Sequence, residues 1–437
     1  MSGALSDLTR RAREAWPVVA GLPLDERLER ARAARAALAA AAPAIVDEAV
    51  HEVGQPRRFA RREVESALGL LDALPALAEA IRPREVSSVS GRTELQWAPY
   101  GVVFGWHAAN SPVWVPTLVT QSALVAGNAV LSRPSSRARR TTGRVLDALA
   151  PAWPEDAIVA VEQPAPEAQQ LVAHPEVDAV VAHSSTETCK RHLAALGEAY
   201  AAGAPLRPYI PEASGNDALL VLPGADLEQA AAAAAIAAFA NGGQLCMSAK
   251  RIVVERSVLE RFVPLLVDRV AELVVGDPDD ERTDVASIAE GPARRRAREA
   301  LREALAAGGR ILVGSGERDG IFTPTIVRLP RTALEVALWR QESFAPLRSL
   351  VVAESSVDAV ALANDSSFGL GAAIFGGDDA VVATVRGARV VVDTSPLYQD
   401  AHLVVGGVKD SGIAGARPKL EQLVFARRVH REAPGGA

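Results

Sequence analysis

Cysteine is almost missing from this chain: Cys189 and Cys246 are the only two in 437 residues. That count excludes a disulfide-stapled scaffold and points to a reducing compartment. Aromatic residues make up only 4%, which argues against a binding tunnel walled by rings. An excess of positive charge is missing too. Lys and Arg number 47 against 53 Asp and Glu, a formal charge of −6, and arginine runs such as Arg57 to Arg62 are spread along helical pattern, so a nucleic-acid partner is excluded. The longest uninterrupted apolar stretch, Ala230 to Ala240, reaches about half of the ~20 residues that a bilayer span needs. No membrane span is expected, and Met1 to Asp7 lacks the charged-then-apolar pattern of a signal peptide, so the cytoplasm is the expected location.

What is present is a globular composition, 49% apolar, in a chain too long for one core. From Ser6 to about Ile81 the pattern is helical, with breaks expected at Pro17 and Gly21-Leu22-Pro23, a helix opened by Pro43, and a stop at Gly54. Val86 to Pro99 reads as exposed, extended chain. After it, short apolar runs alternate with helical stretches. Gly101 to Gly105, Ala129 to Leu131, Ile158 to Val161 and Asp178 to Ala182 read as strands, and Arg251 to Val254, Ile311 to Val313 and Leu350 to Val352 continue the pattern beyond Cys246. Alternation of this kind predicts an α/β fold with parallel sheets covered by helices on both faces.

The chemistry gathers around Asn241-Gly242-Gly243-Gln244-Leu245-Cys246. A thiol just past two glycines can be approached closely by backbone and made into a nucleophile. Glu212, in Pro211-Glu212-Ala213-Ser214-Gly215-Asn216, precedes it by 34 residues. Together with matches running from about Leu24 to Arg428, these segments resemble the NAD(P)-dependent aldehyde dehydrogenase superfamily. The resemblance implies a Rossmann-type cofactor domain (1–84 and 100–214), an α/β catalytic domain (215–405), and an oligomerisation arm with C-terminal return (85–99 and 406–437). It implies a homodimer or homotetramer and a small-molecule aldehyde as substrate.

The resemblance also assigns roles. Cys246 attacks the aldehyde to form a thiohemiacetal. Asn110, in Trp106-His107-Ala108-Ala109-Asn110, donates to the oxyanion with the cysteine NH. After hydride transfer to the nicotinamide, Glu212 activates water against the thioester. Glu342 and Phe344, in Gln341-Glu342-Ser343-Phe344-Ala345-Pro346, face the nicotinamide ribose and ring. Arg133, Ser135 and Ser136 stand where the family has Lys-Pro-Ser-Glu, and loss of that carboxylate beside Arg137 favours NADP over NAD. Ser185 belongs to Ser184-Ser185-Thr186-Glu187, where a glycine of the family pattern is Ser184 and another is Cys189, so added side chains narrow the pyrophosphate groove. His107 and His183 fall near the site without metal-ligand spacing, and no metal is expected. Ser111 in place of an aromatic predicts a wider or more polar entrance, which leaves open an acyl-CoA or carrier-bound acyl-thioester reductase. A non-catalytic subunit on the same fold is the other alternative.

Overall fold

The computed structural model describes residues 3–87, 91–286, 291–318, 321–398, 406–413 and 419–431. Part of the expected exposed stretch (88–90), the end of the expected catalytic domain (399–405) and the tail from Glu432 lie outside the described residues. Three helices come first, Gly3–Gly21, Leu24–Val53 and Arg57–Ala78. The breaks expected at Pro17 and Pro43 do not occur, because both prolines sit inside helices. An interior proline costs about 3 kcal/mol, and here burial on both sides offsets it: Ala12, Ala15 and Val19 flank Pro17, while Leu38, Ile45, Val46, Ala49 and Val50 carry one apolar face past Pro43. The break at Gly21 to Pro23 and the stop at Gly54 are as expected.

Five parallel strands form one sheet in the spatial order Ile158–Ala160, Ala129–Arg133, Val102–Trp106, Ala179–His183, Tyr209–Glu212. Its strand order reverses at Val102–Trp106, the position at which a doubly wound sheet opens a crevice beyond its strand ends. The side chains alternate as a sheet covered on both faces requires. Val103 packs with the helices that include Leu38 and Leu71, while Val102, Phe104 and Trp106 face Leu171 and Leu196 on the other side.

A second sheet has seven strands, in the order Arg310–Val313, Thr325–Arg328, Leu347–Ala353, Ala249–Glu255, Asp217–Val221, Gly371–Phe375, Arg389–Val392. All neighbours are parallel except the first pair. Ile252 and Val254 face the helix Leu227–Phe239, and Val253 faces the opposite layer with Trp339. The extended chain at Arg92–Pro99 pairs antiparallel with Val424–Arg431 along all eight residues, and with Arg84–Val86 on its other edge. Mixed α/β architecture with two parallel sheets is therefore what the alternation predicted.

A buried cation ties this second sheet to its neighbours. Arg251, 2% exposed, donates from Nε to the Asn216 carbonyl at 2.9 Å and from its terminal nitrogens to Leu362, Ala363 and Asp365 carbonyls, which end the helix Ser356–Asn364. Its guanidinium also lies over the Trp339 ring. Arg251→Met is expected to destabilise the fold by about 3 kcal/mol, because three buried carbonyls and the Asp365 carbonyl lose a charged donor. Chemical denaturation of the two proteins measures it.

Candidate active site

The helix Leu227–Phe239 delivers the cysteine. Asp226 caps its start, accepting from the Glu228 and Gln229 NH groups at 3.1 Å. Its buried face is alanine at positions 230, 231, 234, 235, 237 and 238, so the helix lies close against the strands. Beyond Phe239 three successive residues, Asn241, Gly242 and Gly243, take left-handed φ values of 53°, 63° and 72°. That reversal turns the chain back toward Cys246. At Gly243 a side chain would collide with the Ala345 carbonyl and with Arg348.

Two buried cations hold the loop. Arg348, fully buried, donates to the carbonyls of Gly243 (3.0 Å), Ala345 (2.7 Å), Leu347 (2.8 Å) and Ser343 (3.2 Å) and to Ser248 Oγ (2.8 Å). It joins the cysteine loop to the segment carrying Glu342 and Phe344. Lys250 Nζ donates to the Leu245 and Cys246 carbonyls at 2.7 and 2.6 Å and lies 3.5 Å from Glu342 Oε1.

Glu212 ends the five-stranded sheet and meets the cysteine: Cys246 Sγ is 4.0 Å from Glu212 Oε1. Burial pushes the thiol up to about 12, the Glu212 carboxylate adds to this, and Lys250 opposes it without prevailing. The resting thiol is protonated and needs a base. Burial alone would raise the Glu212 carboxyl, but the charge and contact of His183, with Lys419 and Arg389, outweigh it and hold the group below the ordinary carboxylate value. A neighbouring acid and base driven in opposite directions is the arrangement that proton transfer requires.

Asn110 is tied to the same loop. Its carbonyl accepts from Asn241 Nδ2 at 3.1 Å and from Gln55 Nε2 at 3.2 Å. The buried Glu63 fixes the following turn, with Oε1 accepting from Ser111 Oγ and from the Val113 and Trp114 NH groups at 2.8 to 2.9 Å. Glu63, Gln55, Lys250 and Arg348 had no role assigned from the sequence, although Gln55 and Glu63 fall in segments that resemble the family's early helical region. The roles themselves had no local signal, since each acts on residues distant along the chain or on backbone atoms.

Of the residues expected at a dinucleotide, Arg133, Ser135, Ser136 and Ser185 lie at the carboxyl edge of the five-stranded sheet, while Glu342 and Phe344 precede the strand Leu347–Ala353 of the seven-stranded one. Ser185 caps the helix Thr186–Ala201, its Oγ accepting from the Thr188 NH. Ser136 and Arg137 are exposed and Ser135 half-buried on the turn after Arg133. Arg133 itself is 4% exposed, with its guanidinium 3.9 Å from the Trp106 ring centre and its Nε without a hydrogen bond. Burial, then the charge of Arg139, lowers it to about 10. Glu342 is partly exposed, with Oε1 taking the Gly215 NH at 3.0 Å, and Phe344 stands two residues on, also partly buried. A helix N-terminus at Ser185, an exposed Ser-Arg turn and the orphaned Arg133 Nε fit a nicotinamide dinucleotide. Among the described residues no group of three or more His, Cys, Asp and Glu is placed to hold a metal ion.

Fold and site together define an α/β protein in which a buried thiol meets a carboxylate where two parallel sheets adjoin. Residues 4–424 match the model of the aldehyde dehydrogenase family. Vanillin dehydrogenase of Pseudomonas fluorescens is 31% identical over 96% of this chain and 88% of its own length. NADP-linked succinate-semialdehyde dehydrogenase of Mycobacterium avium is 29% identical over 74% of this chain and 68% of its own. In structure, NADP-dependent glyceraldehyde-3-phosphate dehydrogenase from Bacillus halodurans, complexed with NADP, superimposes with a TM-score of 0.90 at 24% identity, over 98% of this chain and 91% of that one. The chain belongs to the aldehyde dehydrogenase family and is an NAD(P)-dependent oxidoreductase that acts on aldehydes.

Because the thiol is held up to about 12, alkylation of Cys246 by iodoacetamide is expected to rise with pH, about tenfold per unit, without a plateau up to about pH 10. Peptide mapping against Cys246→Ala separates this thiol from Cys189. Gly243→Ala, forced into a left-handed conformation against the Ala345 carbonyl, is expected to cost more than about 1 kcal/mol of stability and to lower turnover. Thermal melting beside a rate assay reads both.

Proposed function

We propose that the protein oxidises an aldehyde to a carboxylic acid through a thioester on Cys246. The observation that carries this reading is the approach of Cys246 Sγ to the Glu212 carboxylate. Sγ bonds to the aldehyde carbon while its proton passes to Glu212. The Asn110 amide and the Cys246 NH receive the oxyanion; one such donor is worth on the order of 3 kcal/mol. A bound nicotinamide dinucleotide supplies the two-electron acceptor, and Glu342, Phe344 and Ser185 hold it. Glu212 gives the thiol proton up to solvent, and the regenerated carboxylate then takes a proton from water as the water oxygen bonds to the acyl carbon. The carbon–sulfur bond breaks, and its electron pair returns to sulfur.

The base beside the thiol favours hydrolysis over acyl-thioester reduction, since a reductase would lose its thioester to water. NADP is the preferred dinucleotide: Ser136 leaves the ribose without a carboxylate, and the exposed Arg137 stands beside it. Arg133 serves this pocket from beneath, through its stack on Trp106. Substrates are sought first among aryl aldehydes, with succinate semialdehyde next, following the vanillin and succinate-semialdehyde dehydrogenases named above. The ribbon of Arg92–Pro99 and Val424–Arg431 leaves a strand edge open, and we assign it to pairing with a second copy in a dimer or tetramer. Two cysteines without a disulfide support a cytoplasmic location.

Reduced nicotinamide is expected to form with vanillin or another member of that panel, faster with NADP than with NAD. Cys246→Ala should lower the rate by more than about a thousandfold. Turnover that survives this substitution overturns the nucleophile assignment, and preference for NAD overturns the reading of Ser136 and Arg137.

A further inference from the structure

The strands Ala179–His183 and Tyr209–Glu212 run parallel, and His183 is the register partner of Glu212 at their common carboxyl end. The Ser184 NH donates to the Glu212 carbonyl at 3.1 Å, which locks the two ends together. His183 Nε2 lies 3.3 Å from Glu212 Oε2, with the side chains 5% and 10% exposed. Neither ring nitrogen of His183, nor Glu212 Oε2, meets hydrogen-bond geometry with any partner among the described residues, so the approach of the two groups is an ion-pair contact. A buried imidazole with two polar atoms and a single carboxylate neighbour is too costly to be a filler.

The carboxylate thus has two faces. Oε1 is turned to Cys246, and Oε2 to His183. We propose that His183 is the positioning residue of the base, holding Glu212 as an oriented carboxylate so that Oε1 is presented to the thiol and to the water that releases the acyl group. The inference rests on the reading of Glu212 as base. It adds no covalent step: the proton from water goes to Glu212, the carbon–sulfur bond breaks as the carbon–oxygen bond forms, and His183 acts through Oε2 alone.

The electrostatics of the pocket set the sign of the effect. Burial opposes ionisation of Glu212, and His183, Lys419 and Arg389 favour it. Facing the pair are Cys246 and, toward the His183 side, His107, buried and lowered to about 3 first by burial and then by the charge of His183. Cys189 lies within the field of Glu212. With His183 present, Glu212 stays ionised to lower pH. Without it, burial regains weight and the carboxyl protonates at a higher pH.

Hydrolysis of para-nitrophenyl acetate separates the parts, because it acylates Cys246 and needs water activation but no dinucleotide. In His183→Gln, the initial burst should keep its one-per-subunit size, the later steady rate should fall about tenfold, and its acid limb should move up by about one to three pH units. The same upward move is expected in the infrared band of the protonated carboxyl that Glu212→Gln removes. His183→Thr provides a second variant should the first fold poorly. An acid limb and band unmoved in both variants, with Glu212→Gln slowing the steady rate, overturns the role of His183 and leaves the base assignment standing. A steady rate untouched by Glu212→Gln overturns both, and a burst that persists in Cys246→Ala overturns the nucleophile assignment and this inference with it.

Discussion

At Gly215 the chain passes from the five-stranded sheet to the seven-stranded one with the Cys246 carbonyl occupying the space a Cβ would take. Glu212 ends the first sheet and Asp217 begins the second, so four residues make the crossing. Their closeness to the cysteine loop brings base and nucleophile within reach. Any side chain at Gly215 would push the loop and Leu370 away together. The cations beneath serve the same end: Lys250 gathers the Leu245 and Cys246 carbonyls, and Arg348 gathers five oxygens from two loops. A loop rich in left-handed residues has few hydrogen bonds of its own, and buried donors supply them.

The site works by differences in environment. Cys246 and Glu212 share one pocket, yet the thiol is held protonated and the carboxyl ionised. The distinction comes from which cations each one meets. Lys250 is itself lowered by burial and is engaged with Glu342 and Asp217, so it stabilises the cysteine backbone more than the sulfur charge. Glu212 looks the other way, to His183 and Lys419.

The carboxyl edge of the five-stranded sheet departs from a glycine-lined crevice. His183 stands on the strand end and Ser184 follows it, while Cys189 and His192 are buried on the helix behind. Trp106, His192 and Tyr209 form a chain of edge-on rings, and Arg133 lies on the Trp106 face. Polar and aromatic groups thus fill volume that backbone alone would leave to a ligand. An arginine expected at the cofactor became part of the packing, because a guanidinium is flat, weakly hydrated and stacks well on indole.

The sequence by itself determined the class of fold, since short continuous apolar runs alternating with helical stretches are the pattern of covered parallel sheets. It also determined the cysteine loop, because Asn-Gly-Gly before a thiol is a local backbone property. It misplaced the helix breaks at Pro17 and Pro43, where a local cost was outweighed by burial spread along the helices. The partnership of His183 with Glu212, the clamps of Lys250 and Arg348, the Glu63 anchor and the inward turn of Arg133 were decided only by tertiary structure. Each depends on two chain segments meeting in space, and burial turns a weak local preference into a strong electrostatic one only after they have met.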